Sequence, residues 1–220
     1  MKSEANRGAE RRVPLSRERV LRAAIGLADR AGIESLTMRG LARALGVEAM
    51  ALYYHVANKD DILNAMVDTV ESEIELPSPG DHWKASIRNT AISYHEVLER
   101  HPWAAGLALA ATGSRPARWR YMNAILGCLR EAGFSVEMTD HAYHALDSHI
   151  SGFTLWAAQL DVEPERLPAL AESFLGEIDG DELPYLVEHV HQHLKERDPN
   201  DEGAFAFGLD LILDGLERLR

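Results

Sequence analysis

The chain has 220 residues, 46% of them hydrophobic and 26% charged, which excludes disorder throughout and leaves room for one or two domains. Its formal net charge of −12, taken as an average, argues against nucleic-acid binding. The average hides a split, because residues 1–60 hold 11 basic and 7 acidic side chains (net +4) and residues 61–220 hold 12 and 28 (net −16). Such asymmetry describes a basic contact module on an acidic body. Cys128 is the only cysteine, so an intrachain disulfide is excluded and a reducing, cytoplasmic setting is expected. No apolar run approaches the roughly 18–20 residues of a membrane span. The polar, Arg-bearing start, Met1–Pro14, does not read as a signal peptide.

Residues 1–14 read as a flexible basic arm around Arg7, Arg11 and Arg12, either a plain tail or an arm able to enter a minor groove. Ser16 is the N-cap of a first helix to about Ala31, with Val20, Ala23, Ala24, Leu27 and Ala28 on one face and Gly32 ending it. Thr37 caps a second helix, Met38–Leu45, and Gly46 permits a tight turn. A third, short helix spans about Glu48–Tyr54, and Asn58 opens a fourth from Lys59 to about Ile74. Beyond Pro77–Gly80, helices are predicted at about Trp83–Arg100, Pro102–Thr112, Pro116–Ala132, Met138–Leu160, Pro164–Leu175, Leu183–Arg197 and Gly203–Arg220. Prolines at or near several of these starts sit where a missing N–H costs nothing. No two-residue alternation points to a sheet, so the fold class is all-α.

The stretch Thr37–Lys59, TMRGLARALGVEAMALYYHVANK, has the layout of a helix-turn-helix. Leu41, Ala42, Leu45, Val47 and Leu52 would clamp the two helices together. Ala49, Met50, Ala51, Tyr53, Tyr54 and His55 would then lie at or near the outer face, where a recognition helix needs small side chains and polar tips. Lys59, with the N–H groups after Asn58, could hold a phosphate at the next helix start.

With these residues in view, Ser16–Met66 resembles the DNA-binding domain of the TetR family of transcriptional repressors, through LTMRGLARALGV and LYYHVANKDDIL. The resemblance implies that Thr37 and Arg39 contact DNA at the start of the second helix, Arg39 as a bidentate guanine reader. It implies Ala49, Met50 and Ala51 at base edges or thymine methyls, and Tyr53, Tyr54, His55 and Lys59 mainly at phosphates. GSRP at Gly113–Pro116, GFS at Gly133–Ser135, FTL at Phe153–Leu155 and FAFGLDLILDGLERL at Phe205–Leu219 are similar to the C-terminal domain of the family's tetracycline-repressor branch. That likeness implies domains at 15–62 (DNA binding) and 63–220 (ligand binding and dimerisation). It further implies a homodimer through the helices at about 138–160 and 203–220. Phe205, Leu209, Ile212, Leu213 and Leu216 form an apolar stripe on the last helix, although a stripe alone favours a protomer core.

The same resemblance implies a pocket for a small-molecule inducer. Its candidate lining is Trp83, Thr90, Tyr94, Ser114, Arg115, Met122, Leu126, His149, Phe153 and Trp156, which mixes aromatic area with polar handles. Where the tetracycline-binding branch places a metal-binding His before the GSRP-like turn, this chain has Ala111, and Ser72–Glu73 offers no second one. Magnesium–tetracycline is therefore not the expected ligand.

The expected function is a dimeric regulator that binds double-stranded operator DNA and is released by an unidentified inducer, with no cofactor, no metal and no enzymatic activity. A regulator without a ligand, or an activator, is one rival reading. A helical metalloprotein is the other, on the strength of His141, His144 and His149 and of His189, His191 and His193 with Glu188. Only one Glu-x-x-His spacing is present, where a di-iron bundle needs two. Neither a His-Glu-x-x-His motif nor a Gly-rich phosphate loop occurs.

Overall fold

The computed structural model describes residues 14–78, 80, 82–110, 113–159, 166–194 and 203–220. Among these residues the elements are helical throughout. They are α1 (Arg17–Ala31), α2 (Met38–Leu45), α3 (Ala49–Leu52), α4 (Lys59–Glu71), α5 (Trp83–Arg100), α6 (Pro102–Ala110), α7 (Pro116–Glu131), α8 (Val136–Gln159), α9 (Leu167–Glu177), α10 (Pro184–His193) and α11 (Gly203–Leu219), with a 3-10 turn at Ile33–Ser35.

Local caps explain the accurate starts. Ser16 Oγ accepts the Arg19 N–H at 3.2 Å, Thr37 Oγ1 accepts that of Gly40 at 3.0 Å, and Asn58 Oδ1 accepts that of Asp61 at 2.8 Å. Gly46 takes left-handed φ 67°, ψ 35° and turns the chain from α2 into α3, a conformation that costs a side chain with a Cβ. The third helix is one turn, Ala49–Leu52, and Glu48 makes no side-chain capping bond. The fourth ends at Glu71 rather than near Ile74, and the ninth begins at Leu167. The expected arm at residues 1–13, the helix start at Pro164, the helix end at Arg197 and the Ala111 position lie outside the described residues.

The chain divides into two compact units. One comprises residues 1–73 and 103–120, and the other residues 74–102 and 121–220. The first thus holds α1–α4 together with α6 and the start of α7. Here α1 packs on α2 and α4, and α2 packs on α3. Val20, Ala24, Ala28, Leu41, Ala42, Leu52, Val56, Ile62 and Met66 form the core. The indole N–H of Trp103 on α6 donates to Asp29 on α1 at 2.7 Å.

In the second unit α5 packs on α8 and α11, and α8 packs on α11. Lys84 reaches Asp214 and Glu217 at 2.6 Å each, and Arg88 reaches Asp210 at 2.8 Å, which sets the register of α11 along α5. The stripe expected on the last helix is resolved as protomer core: Phe205, Leu209, Leu213 and Leu216 are buried, with Ile212 half-buried. A different face of α11 leaves Phe207 and Leu211 exposed, as Trp156 is on α8.

Candidate functional site

The first unit presents the expected contact residues on a rigid mount. Leu41, Ala42 and Leu52 are buried, and Leu45 and Val47 are half-buried, so α2 and α3 are clamped as the pattern requires. Thr37, Arg39, Met50, Tyr53, Tyr54 and Lys59 are all exposed, Met50 at 72% and Tyr54 at 88%. Exposed aromatic and thioether area of this size, beside two cations, is costly to leave in water unless something docks there. Ala49, Ala51 and His55 are half-buried at the edges of this face. Thr37 spends an acceptor lone pair on the α2 cap, which leaves its hydroxyl hydrogen for a phosphate oxygen.

The mount has a brace that sequence reading missed. Arg17 on α1 donates to both carboxylate oxygens of Asp61, at 2.9 and 2.7 Å, and to the His55 carbonyl at 3.0 Å. Asp61 also accepts the Ala57 N–H at 2.9 Å. One guanidinium therefore pins the loop between α3 and α4, from which Tyr54 and His55 project. The Arg17 hydrogen bonds pull the Asp61 carboxyl down to about 2 from an ordinary 3.8. The folded form thus binds the proton less readily than the unfolded chain. The stability contributed by the brace is fully present above about pH 4 and is lost as pH falls toward 2. Unfolding free energies of wild type and Asp61→Asn, measured by denaturant titration at each pH, should match this. The two should run parallel from pH 8 to 5, offset by a constant amount, draw together below about pH 4 and converge only toward pH 2.

A second tie joins α4 to the α6–α7 junction inside the same unit. Arg115, buried, pairs through Nη2 with the buried Glu71 carboxylate at the end of α4 and donates from Nη1 to the Ala108 carbonyl at 2.6 Å. One turn earlier on α4, Asp68 accepts the Ala117 N–H at 2.7 Å and so caps the start of α7. Arg115, expected at a ligand, is thus committed within the first unit, and Ser114 beside it is exposed.

The remaining expected ligand residues lie in the second unit. His149, Phe153 and Trp156 come together in one ring cluster with two residues not anticipated, His95 and Phe205. Phe153 lies 5.6 Å from His95, 6.0 Å from His149, 5.7 Å from Trp156 and 5.5 Å from Phe205, centroid to centroid. His95 stacks on Phe205 at 3.9 Å and bonds Thr154 Oγ1 through Nδ1 at 3.2 Å. Burial pushes its pKa down, against an opposing pull from Glu99. The hydroxyl of Thr154 also donates to the Ile150 carbonyl at 2.9 Å, and His95 Nε2 lies 3.5 Å from Glu99 Oε1. His149 Nε2 lies 2.9 Å from the Phe205 carbonyl and donates to it. Tyr94 packs edge-on against Tyr121 and Trp83 against Phe134, each at 5.1 Å, and Thr90 on α5 is buried. Met122 and Leu126 are half-buried on α7.

The His193 side chain, singled out with the others for a metal, lies outside the described residues. His141 and His144 are exposed and face acids of their own helix, Glu137 at 3.9 Å and Asp140 at 3.6 Å. Among the described residues no group of three His, Cys, Asp or Glu side chains could hold a metal ion, and no helix is long and apolar enough to cross a membrane.

Two family models match this chain. Bacterial regulatory proteins of the tetR family match residues 20–66, and the tetracyclin repressor-like C-terminal domain matches residues 76–220. The class D tetracycline repressor protein of Escherichia coli is 33% identical over 208 residues, covering 92% of this chain and 89% of that protein. Among solved structures, the TetR family protein ActR of Streptomyces coelicolor in complex with actinorhodin aligns with TM-score 0.73 at 26% identity, covering 94% of this chain and 98% of that one. BioQ with its double-stranded DNA operator aligns with TM-score 0.66 at 25% identity, over 93% and 99% of the two chains.

Proposed function

The chain belongs to the TetR family of bacterial regulatory proteins, and on that premise we propose that it is a transcriptional repressor, released from its operator by a small molecule. The observation that carries the reading is the exposed set on α2, α3 and the α3–α4 loop, held by the Arg17–Asp61 brace within a basic segment of an acidic chain. Arg39 and Thr37 read and position from the start of α2. Ala49, Met50 and Ala51 approach base edges. Tyr53, Tyr54, His55 and Lys59 take phosphates, helped by the free N–H groups at the start of α4. The acidic remainder of the chain is repelled by DNA, which confines contact to this face.

The repressor acts as a homodimer through α8 and α11. The exposed Trp156, Phe207 and Leu211 supply apolar area for a partner copy, while the opposite stripe of α11 stays in the protomer core. The inducer is met by Trp83, Thr90, Tyr94, Met122, Leu126, His149, Phe153 and Trp156, to which His95 is added. Arg115 acts elsewhere. Ligand lowers operator affinity to the extent that it favours a conformation with misplaced recognition helices. The Glu71–Arg115 and Asp68–Ala117 ties make the relay. They couple α4 to α7, and α7 continues into the second unit.

Selection from random duplex DNA tests the reading. The enriched sequence should be two-fold symmetric, with half-site centres about one helical turn, or a multiple of it, apart. Enrichment of an asymmetric single site, or none at all, would contradict it.

A further inference from the structure

Phe205, in the first turn of α11, carries two stacked imidazoles from two other helices. His95 on α5 lies 3.9 Å from it with 15° between the planes, and His149 on α8 lies 5.0 Å from it with 18°. Hydrogen bonds tie both histidines across helices, His95 to Thr154 on α8 at 3.2 Å and His149 to the Phe205 carbonyl at 2.9 Å. The fit of His149 against α11 depends on Gly208, because a Cβ there would lie 2.5 Å from His149 Cε1. Three helices thus meet through one ring and two side chains whose charge can change near neutral pH. The His95 side chain is only 12% exposed, so a proton on it enters a poorly solvated, aromatic site. Its surroundings pull in both directions. On its own helix, Glu99 at 3.5 Å and Glu96 favour the charge, as does the face of Phe205. Burial and His149 on α8 oppose it, while Asp210 further along α11 is held by Arg88. Burial is the largest of these effects and holds His95 below the ordinary histidine value of 6.5. The closed cluster therefore binds the proton less readily than an opened one. Its stability is full above that value and is lost as pH falls below it.

We propose that the His95–Phe205–His149 stack is a proton-operated catch, which holds the start of α11 against α5 and α8 at neutral pH and opens on mild acidification. The catch itself needs neither DNA nor a small molecule. Its consequence rests on the homodimer reading above. Phe207 and Leu211 on α11 are exposed, and so is Trp156, which lies 5.7 Å from Phe153 in the same ring cluster. These are the residues assigned to the partner copy, so opening the catch weakens the dimer and lowers operator affinity.

Hydrogen exchange of the full chain between about pH 7.5 and 5, corrected for the intrinsic pH dependence of exchange, provides the test. Wild type is compared with His95→Phe, which keeps a ring on Phe205, and with His95→Asn, which keeps a partner for Thr154. Neither replacement can titrate, and one folded variant is enough for the comparison. In wild type, protection at residues 207–211 should fall several-fold as pH drops below 6.5. A group that takes its proton only in the open form sets a limit of about tenfold per pH unit. The variants should lose most of this pH dependence. Wild-type protection that stays level across the range, or an equal fall in wild type and variants, would overturn the proposal. Dimer mass followed over the same range separates the two readings. Acid-driven opening in a chain that is already monomeric at neutral pH would support the catch and overturn the homodimer reading.

Discussion

Replacing Tyr54 and Lys59 together with alanine should weaken operator binding by at least about three orders of magnitude. Hydrogen bonds to charged groups are worth about 1.5–3 kcal/mol each, and the dimer loses four of them. The fold should be unaffected. Tyr54 is 88% exposed and Lys59 is exposed at the first position of α4, so truncation uncovers no core, and the α4 cap is made by Asn58. Helical circular dichroism and dimer mass should therefore match wild type. Lys59→Ala alone carries a sharper signature. Losing one phosphate contact per half-site should make the slope of log affinity against log salt shallower by about 2, uniformly across DNA sequences. Affinity lost with an unchanged salt slope would show that Lys59 acts through the fold rather than on a phosphate.

Arg115→Ala should produce the largest loss of stability. Glu71 is 3% exposed and Arg115 8%, so the substitution strips a buried carboxylate of its guanidinium. Breaking a buried ion pair from one side costs about 3–5 kcal/mol. For a chain of this length that lowers the melting temperature by about 10 °C. The Ala108 carbonyl loses its donor as well. Removing both charges, in Glu71→Gln with Arg115→Met, should restore much of the loss, because the desolvation penalty goes with the pair. A melting temperature within 2 °C of wild type for Arg115→Ala, on the same scale of about 2–4 °C per kcal/mol, would contradict the buried pairing. Structurally, the pair explains why α6 and the start of α7 belong with α1–α4 in one compact unit.

What the sequence discloses depends on how local each cause is. Ser16, Thr37 and Asn58 cap helices through bonds to residues three positions on, so those starts can be read from the chain alone. The clamp of Leu41, Ala42 and Leu52 follows from helical spacing across a single turn, and its outer face follows with it. The brace is different in kind. Arg17 and Asp61 are 44 positions apart, as are Glu71 and Arg115, and nothing in the spacing pairs them before α1 meets α4 and α4 meets the α6–α7 junction. His95 was overlooked because it lies on the flank of α5, beside the buried face that Tyr94 marks. Only the packing of α5, α8 and α11 brings Phe153, Thr154 and Phe205 to it. On α11 an apolar stripe looks the same whether its own chain or a partner covers it, and tertiary contact decides the matter.

The most direct measurement is the titration of the selected duplex with the full chain, followed by fluorescence anisotropy from about 50 to 200 mM salt. The account predicts saturation at one dimer per duplex, with affinity falling about a thousandfold or more over that range as six or more phosphate contacts release their counterions. Saturation by a monomer, or an affinity that hardly changes with salt, would contradict it.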